Sequence, residues 1–173
     1  MSSSTVVGER ETQIASSEFT PEEVAGFQRD GYVIVRGMGD AALRERMLQA
    51  TLEGLGRDSG PVEYEAELHY PGSPISLQSK GGRTIRRLKQ AHSRGAVFTE
   101  WISHPELTTR LRQLLGPDVV MPMAHHNCIM TKMPLYSSDT GWHQDIRYWS
   151  FQRPVLVNVW LALGKEYSEN GCL

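Results

Sequence analysis

The apolar residues of this chain change their spacing along its length, and that change limits the folds open to it. Leu43, Met47, Leu48 and Leu52 recur at helical spacing after Asp40, and Leu107, Leu111, Leu114 and Leu115 do so after Pro105. Beyond Gly116-Pro117-Asp118, a turn, the pattern becomes that of strands: Val119 to Lys132, Trp142 to Tyr148 and Val155 to Leu163. Helices first and strands after predict an α+β chain, or a β-core with an N-terminal helical layer.

The expected elements follow from local chemistry. Thr20-Pro21-Glu22-Glu23 predicts a capped helix running to about Arg29, with Pro21 in the first turn and Glu23 closing a capping box. Asp30-Gly31 ends it, and Tyr32-Val33-Ile34-Val35 reads as a short strand. A second helix is expected from Asp40 to Leu55, a strand over Thr84 to Gln90, and helices over Phe98 to Ile102 and Pro105 to Leu115. Residues 56–83 contain five Gly and three Pro with little periodicity, so they read as a long loop, as does Met133 to Gly141. Residues 1–18, rich in Ser, Thr and Glu, read as a flexible tail, leaving 19–173 as one domain or part of one.

Composition narrows the function classes. The 173 residues include 18 Lys plus Arg and 20 Asp plus Glu, a net charge of -2, which gives no basic footprint for nucleic acid or anionic membrane. No apolar run approaches the roughly 20 residues of a membrane span, and Met1 to Ser17 lacks the apolar core of a secretory signal. The two cysteines, Cys128 and Cys172, cannot build a disulfide scaffold and read as reduced thiols, so the expected compartment is the cytoplasm. A small-molecule substrate is the expected partner, and the oligomeric state is left open.

Chemistry concentrates in Gly141-Trp142-His143-Gln144-Asp145. On a strand residues i and i+2 face the same side, so His143 and Asp145 would converge while Gln144 points away. An imidazole and a carboxylate so placed supply two corners of a 2-His-1-carboxylate triad, which leaves open positions on iron(II) for a co-substrate and oxygen. The tripeptide alone equally fits an exposed polar pair at a strand end.

Its neighbours add more. Trp142-His143-Gln144-Asp145, then Trp160-Leu161-Ala162-Leu163, then Glu169-Asn170-Gly171-Cys172-Leu173 resemble, in order and spacing, three blocks of the phytanoyl-CoA dioxygenase family of iron(II)- and 2-oxoglutarate-dependent oxygenases. Upstream, Phe27 to Val35 resembles the family's opening helix and strand, and Ile129 to Pro134 its K-x-P strand end. Arg87-Leu88-Lys89-Gln90 with Phe98 and Trp101 is similar, more loosely, to a segment that brings a lysine to the 2-oxoglutarate pocket. The resemblance spans roughly residues 19–173.

It implies a double-stranded β-helix, a jelly-roll of cupin type, with the N-terminal helices packed on one face. His143 and Asp145 would be iron ligands. Lys89, Cys128, Gln144 and Trp160 would surround 2-oxoglutarate. His126, which alternation puts on the same face as Cys128 and Lys132, would look into the pocket, and Arg147, Tyr148 and Trp149 would meet substrate at its mouth. The implied cofactors are Fe(II), 2-oxoglutarate and O2, with room for ascorbate, and the implied reaction hydroxylates an unactivated C–H bond with succinate and CO2 as co-products. Halogenating relatives carry a small residue where this chain has Asp145, so the aspartate points to hydroxylation or a related oxidation. Lys80, Arg83, Arg86 and Arg87, in and just beyond loop 71–83, fit either an anionic substrate or a solvated surface, the second being favoured.

The family's third ligand, a histidine, and an arginine for the far carboxylate of 2-oxoglutarate both come after the N-G-C-L block, which here ends at Leu173. The expectation is an N-terminal portion of a longer oxygenase, with an incomplete barrel, weak iron binding and no turnover as it stands. The alternatives are a catalytically incompetent fragment or non-catalytic jelly-roll binding module, and a zinc hydrolase using His125, His126 and His143. The N-G-C-L and W-x-A-L blocks argue against the zinc enzyme.

Overall fold

A computed structural model describes residues 17–57, 60–123, 127–141, 143–153 and 155–170. Helix α1, Pro21–Asp30, starts on the expected capping box: the Thr20 hydroxyl accepts from the Glu23 amide, and the Glu23 carboxylate accepts from the Thr20 amide. Gly31 closes it at φ +81°, a left-handed conformation that glycine adopts without a Cβ penalty. Order extends further back than this cap. Phe19 is buried, its backbone amide and carbonyl are both bonded to the Gln113 side chain, and the Arg110 guanidinium lies over its ring.

Helices α2 (Ala41–Arg57), α3 (Ala96–Ile102) and α4 (Pro105–Leu115) follow. Their apolar positions form the core: Leu43 and Met47 of α2, Val97, Phe98 and Trp101 of α3, Leu107 of α4, and Ala91. An exposed ion pair, Arg46 to Glu100 at 2.7 Å, bridges α2 and α3.

Among the described residues one antiparallel sheet forms, in the order β1 (Val62–Tyr64), β2 (Ile85–Lys89), β3 (Cys128–Met130). Register explains its two faces. Val62, Leu88 and Ile129 are cross-strand partners on one face; Leu88 is fully buried and Ile129 packs on the helical core. Gly54 of α2 lets the helix approach closely, since a Cβ there would stand 3.3 Å from Leu88 Cδ1. The opposite face carries Glu63, Arg87, Lys89, Cys128 and Met130.

Among the described residues the sheet is not closed, and several expected strands do not form. Tyr32 to Val35 alternates between exposed and half-buried residues without a ladder. Among the described residues of Val119 to Lys132, the ladder covers Cys128–Met130; Pro122 has no amide to donate, and Val120 is exposed. In Trp142 to Tyr148, the part Asp145–Tyr148 is a 3-10 turn. Val155 to Leu163 runs without a ladder among the described residues, although Leu161 and Leu163 alternate onto the helical core. Period-2 patterning marks a segment as extended, but a strand also needs a neighbour to bond.

Loop 56–83 holds more structure than expected. It contains β1 and a 3-10 turn, Glu65–Glu67. Its later part packs tightly: a Cβ on Gly82 would fall 2.0 Å from the Ser76 carbonyl oxygen. Arg86, expected on a solvated surface, is buried; its guanidinium bonds Glu63 at 3.1 Å, lies 3.8 Å from Glu65 and covers the Tyr70 ring. Two buried carboxylates draw it inward, because a buried charge is tolerated only when paired.

Candidate metal centre

The segment entering the centre is held before it turns. Gln144 is extended (φ -119°, ψ 121°), and the chain coils into the 3-10 turn directly after it, with the Arg147 amide on the Gln144 carbonyl. His143 and Asp145 therefore fall on one side. His143 Nε2 stands 3.4 Å from Asp145 Oδ1. The imidazole is partly exposed and the carboxylate mostly covered, with side-chain exposures of 38% and 16%.

Each group is oriented from behind. His143 Nδ1 lies 2.8 Å from the Gly141 carbonyl oxygen. A carbonyl can only accept, so Nδ1 carries the proton, and in the neutral ring Nε2 presents a lone pair toward Asp145. The Asn158 amide donates to Asp145 Oδ2 at 2.6 Å, which turns Oδ1 toward His143. The 3.4 Å gap is longer than a good hydrogen bond of about 2.7–3.2 Å. It does suit two donors on one cation, since metal bonds of about 2.1 Å meeting near 90° set their donor atoms about 3 Å apart. This donor set, one neutral imidazole nitrogen and one carboxylate oxygen, fits iron(II). Were the ring doubly protonated, the same geometry would be an ion pair. Among the described residues no group of three or more His, Cys, Asp or Glu side chains is placed to hold a metal.

The polar sheet face belongs to the same neighbourhood. Lys89 and Cys128 are direct cross-strand partners, and the Lys89 ammonium is 3.7 Å from Glu63. Cys128 is a free, half-buried thiol. Burial pushes its pKa up; Arg87 opposes the rise, and the charges of Glu63 and Asp145 add to it. Asp145 is thus close enough to act on the face that carries Lys89 and Cys128.

The remaining expected residues are more scattered. Gln144 is exposed. Trp160 is 58% exposed, with its indole N–H donated to Glu166. The Tyr148 ring meets the His143 ring edge-on at 6.3 Å, Trp149 is half-buried edge-on to Phe151, and Arg147 is exposed. Lys132 lies beyond β3; its ammonium is bonded to the Ser138 carbonyl and the Thr140 hydroxyl. His125, His126, Trp142 and Cys172 lie outside the described residues. Sequence reasoning missed Gly141 and Asn158 as orienting groups. Asn158 did leave a signal, as the one polar residue inside the apolar run Val155 to Leu163.

Comparison with known proteins places this chain in a family. The family model described as phytanoyl-CoA dioxygenase matches residues 27–173, and the chain belongs to that family. It is similar to proteins named ectoine dioxygenase: 26% identical to one from Streptomyces avermitilis, covering 89% of this chain and 49% of that protein. A second, from Streptomyces anulatus, is 24% identical over 88% of this chain and 48% of its own length, and one from Bordetella parapertussis is 23% identical over 74% and 37%. The chain thus spans about half the length, or less, of these relatives. No solved structure matches it significantly. Among the described residues no helix is long and apolar enough to cross a membrane.

Proposed function

We propose that this chain carries the iron-binding segment of an iron(II)- and 2-oxoglutarate-dependent dioxygenase that hydroxylates an unactivated C–H bond of a small organic or acyl substrate. The observation that carries the reading is the facing of His143 Nε2 and Asp145 Oδ1 across 3.4 Å, each oriented by a partner on its far side. With Nε2 unprotonated, both atoms are donors that one cation placed between them would satisfy. Family membership and the named relatives support the same chemistry, and the relatives' names point toward a small organic solute.

Iron(II), when bound, would let O2 act as oxidant with 2-oxoglutarate as co-reductant, one oxygen atom going to the substrate and the other to succinate, with CO2 released. The protein's part is to bind, orient and exclude water. His143 and Asp145 hold the metal on one side and leave the other side open. Lys89 offers a cation to a carboxylate of 2-oxoglutarate, with Cys128, Gln144 and Trp160 as further walls of that pocket. Tyr148 stands beside His143, and with Arg147 and Trp149 it receives the substrate. The fold proposed around them is the jelly-roll, with the β1–β2–β3 sheet as one of its walls.

Anaerobic titration with iron(II) and 2-oxoglutarate tests this. The expected result is a weak visible charge-transfer band that His143→Ala removes. No band from the unmodified protein, together with tight zinc binding, would overturn the reading.

A further inference from the structure

Glu65 is 1% exposed and sits among polar partners, away from the apolar core. Its Oε2 accepts twice from Ser138, from the hydroxyl at 2.6 Å and from the backbone amide at 3.1 Å. Ser138 is also 1% exposed. It lies in the loop that links β3 to His143, a short step before the metal pair. From the other side, Lys132 donates to the Ser138 carbonyl and to the Thr140 hydroxyl. The adjacent Asp139 amide is bonded to the Pro71 carbonyl, and the Met133 amide to the Ser137 hydroxyl. This loop has no ladder to fix it, yet every polar group of Ser138 is engaged.

The carboxylate is itself anchored. Arg86, which bonds Glu63 at 3.1 Å, lies 3.8 Å from Glu65 Oε2, and the Glu65 amide donates to the Thr84 carbonyl. Glu65 Oε1 is buried without a hydrogen-bond partner, so the carboxylate is committed to Ser138 through a single oxygen. Burying a charge with half its acceptor capacity unused is costly, which makes Glu65 a poor choice for mere stability.

We propose that Glu65, through Ser138, is a positioning residue for the metal centre. With Lys132 it clamps the loop at a fixed point, and the short span from Ser138 to His143 and Asp145 inherits that position. The role rests on the iron-site reading above. Groups behind metal ligands typically matter about 10–100-fold in metal affinity.

Hydrogen exchange and Co(II) binding followed by visible absorption, on the unmodified protein and on Glu65→Gln, Ser138→Ala and Ser138→Thr, test the clamp. Glu65→Gln and Ser138→Ala are expected to speed exchange over 133–147 and to weaken Co(II) binding about tenfold. Exchange in α3 and α4 stays unchanged, and Ser138→Thr, which keeps the hydroxyl, preserves both properties. Should Glu65→Gln fail to fold, Ser138→Ala decides alone. Unchanged exchange and affinity in Ser138→Ala would overturn the clamp, as would loosening spread equally over α3 and α4. If the unmodified protein takes up no Co(II), the iron-site reading fails and the positioning role falls with it; if it binds Co(II) and the variants bind equally well, the clamp alone fails.

Discussion

The helical half of the molecule and the segment that carries His143 and Asp145 are held by different means. From Phe19 to Leu115, α2, α3 and α4 bury apolar residues in one shared core, and α1 is held at its start by the Thr20–Glu23 capping box. From Met133 to Asn170, the described residues form two short 3-10 turns and no strand, and Leu135, Tyr148, Val155 and Trp160 are exposed. That region depends on point anchors: Ser138 on Glu65, Asn158 on Asp145, and Leu161 and Leu163 on the core. Site chemistry is thus placed by a few specific contacts on a frame that packing makes rigid.

The largest effects should come from the frame. Arg86→Ala leaves Glu65 buried without its cation and takes the nearest cation from Glu63, which keeps Arg87 at 3.5 Å and Lys89 at 3.7 Å; it should cost about 3 kcal/mol in urea unfolding. Phe98→Ala, at the centre of the core, should cost about 3–5 kcal/mol by the same measurement. Trp160→Ala, by contrast, should fall within about 0.5 kcal/mol, since it removes an exposed ring and an exposed hydrogen bond. A large loss at Trp160 would break the contrast between the regions.

A smaller effect sharpens it. The Cys128 thiol is raised by burial, so folding favours its protonated form. That contribution is fully present below the thiol's ordinary pKa and is lost as pH rises through the higher folded value. Alkylation of Cys128 near pH 8.5, about the ordinary thiol pKa, should therefore be slower in the folded protein than in urea. Asp145→Asn, which removes a charge that adds to the rise, should speed it in the folded state. No change in that variant would place Asp145 away from the sheet face.

The sequence disclosed these regions unequally, for physical reasons. Capping and helical periodicity are local, so Pro105–Leu115 was legible to the residue, and α1 and α2 nearly so. Strand formation depends on distant partners, so Val155 to Leu163 showed its alternation at Leu161 and Leu163 but formed no ladder. At the site, the i, i+2 relation of His143 and Asp145 was readable because Gln144 is extended. Glu65 and Ser138 were not, because they meet across 73 positions of sequence and neither sits in a recognisable motif. Arg86 was misjudged because its burial depends on two carboxylates supplied by β1 and the turn after it.

The central claim is that one imidazole and one carboxylate grip the same ferrous ion. Anaerobic iron(II) binding by the unmodified protein, His143→Ala, Asp145→Ala and the double variant measures that sharing directly. Each single change should weaken binding by about 10–100-fold, and the double change should add almost nothing, because either loss already breaks the pair. Single variants that bind as well as the unmodified protein would show that the two side chains do not act on one ion.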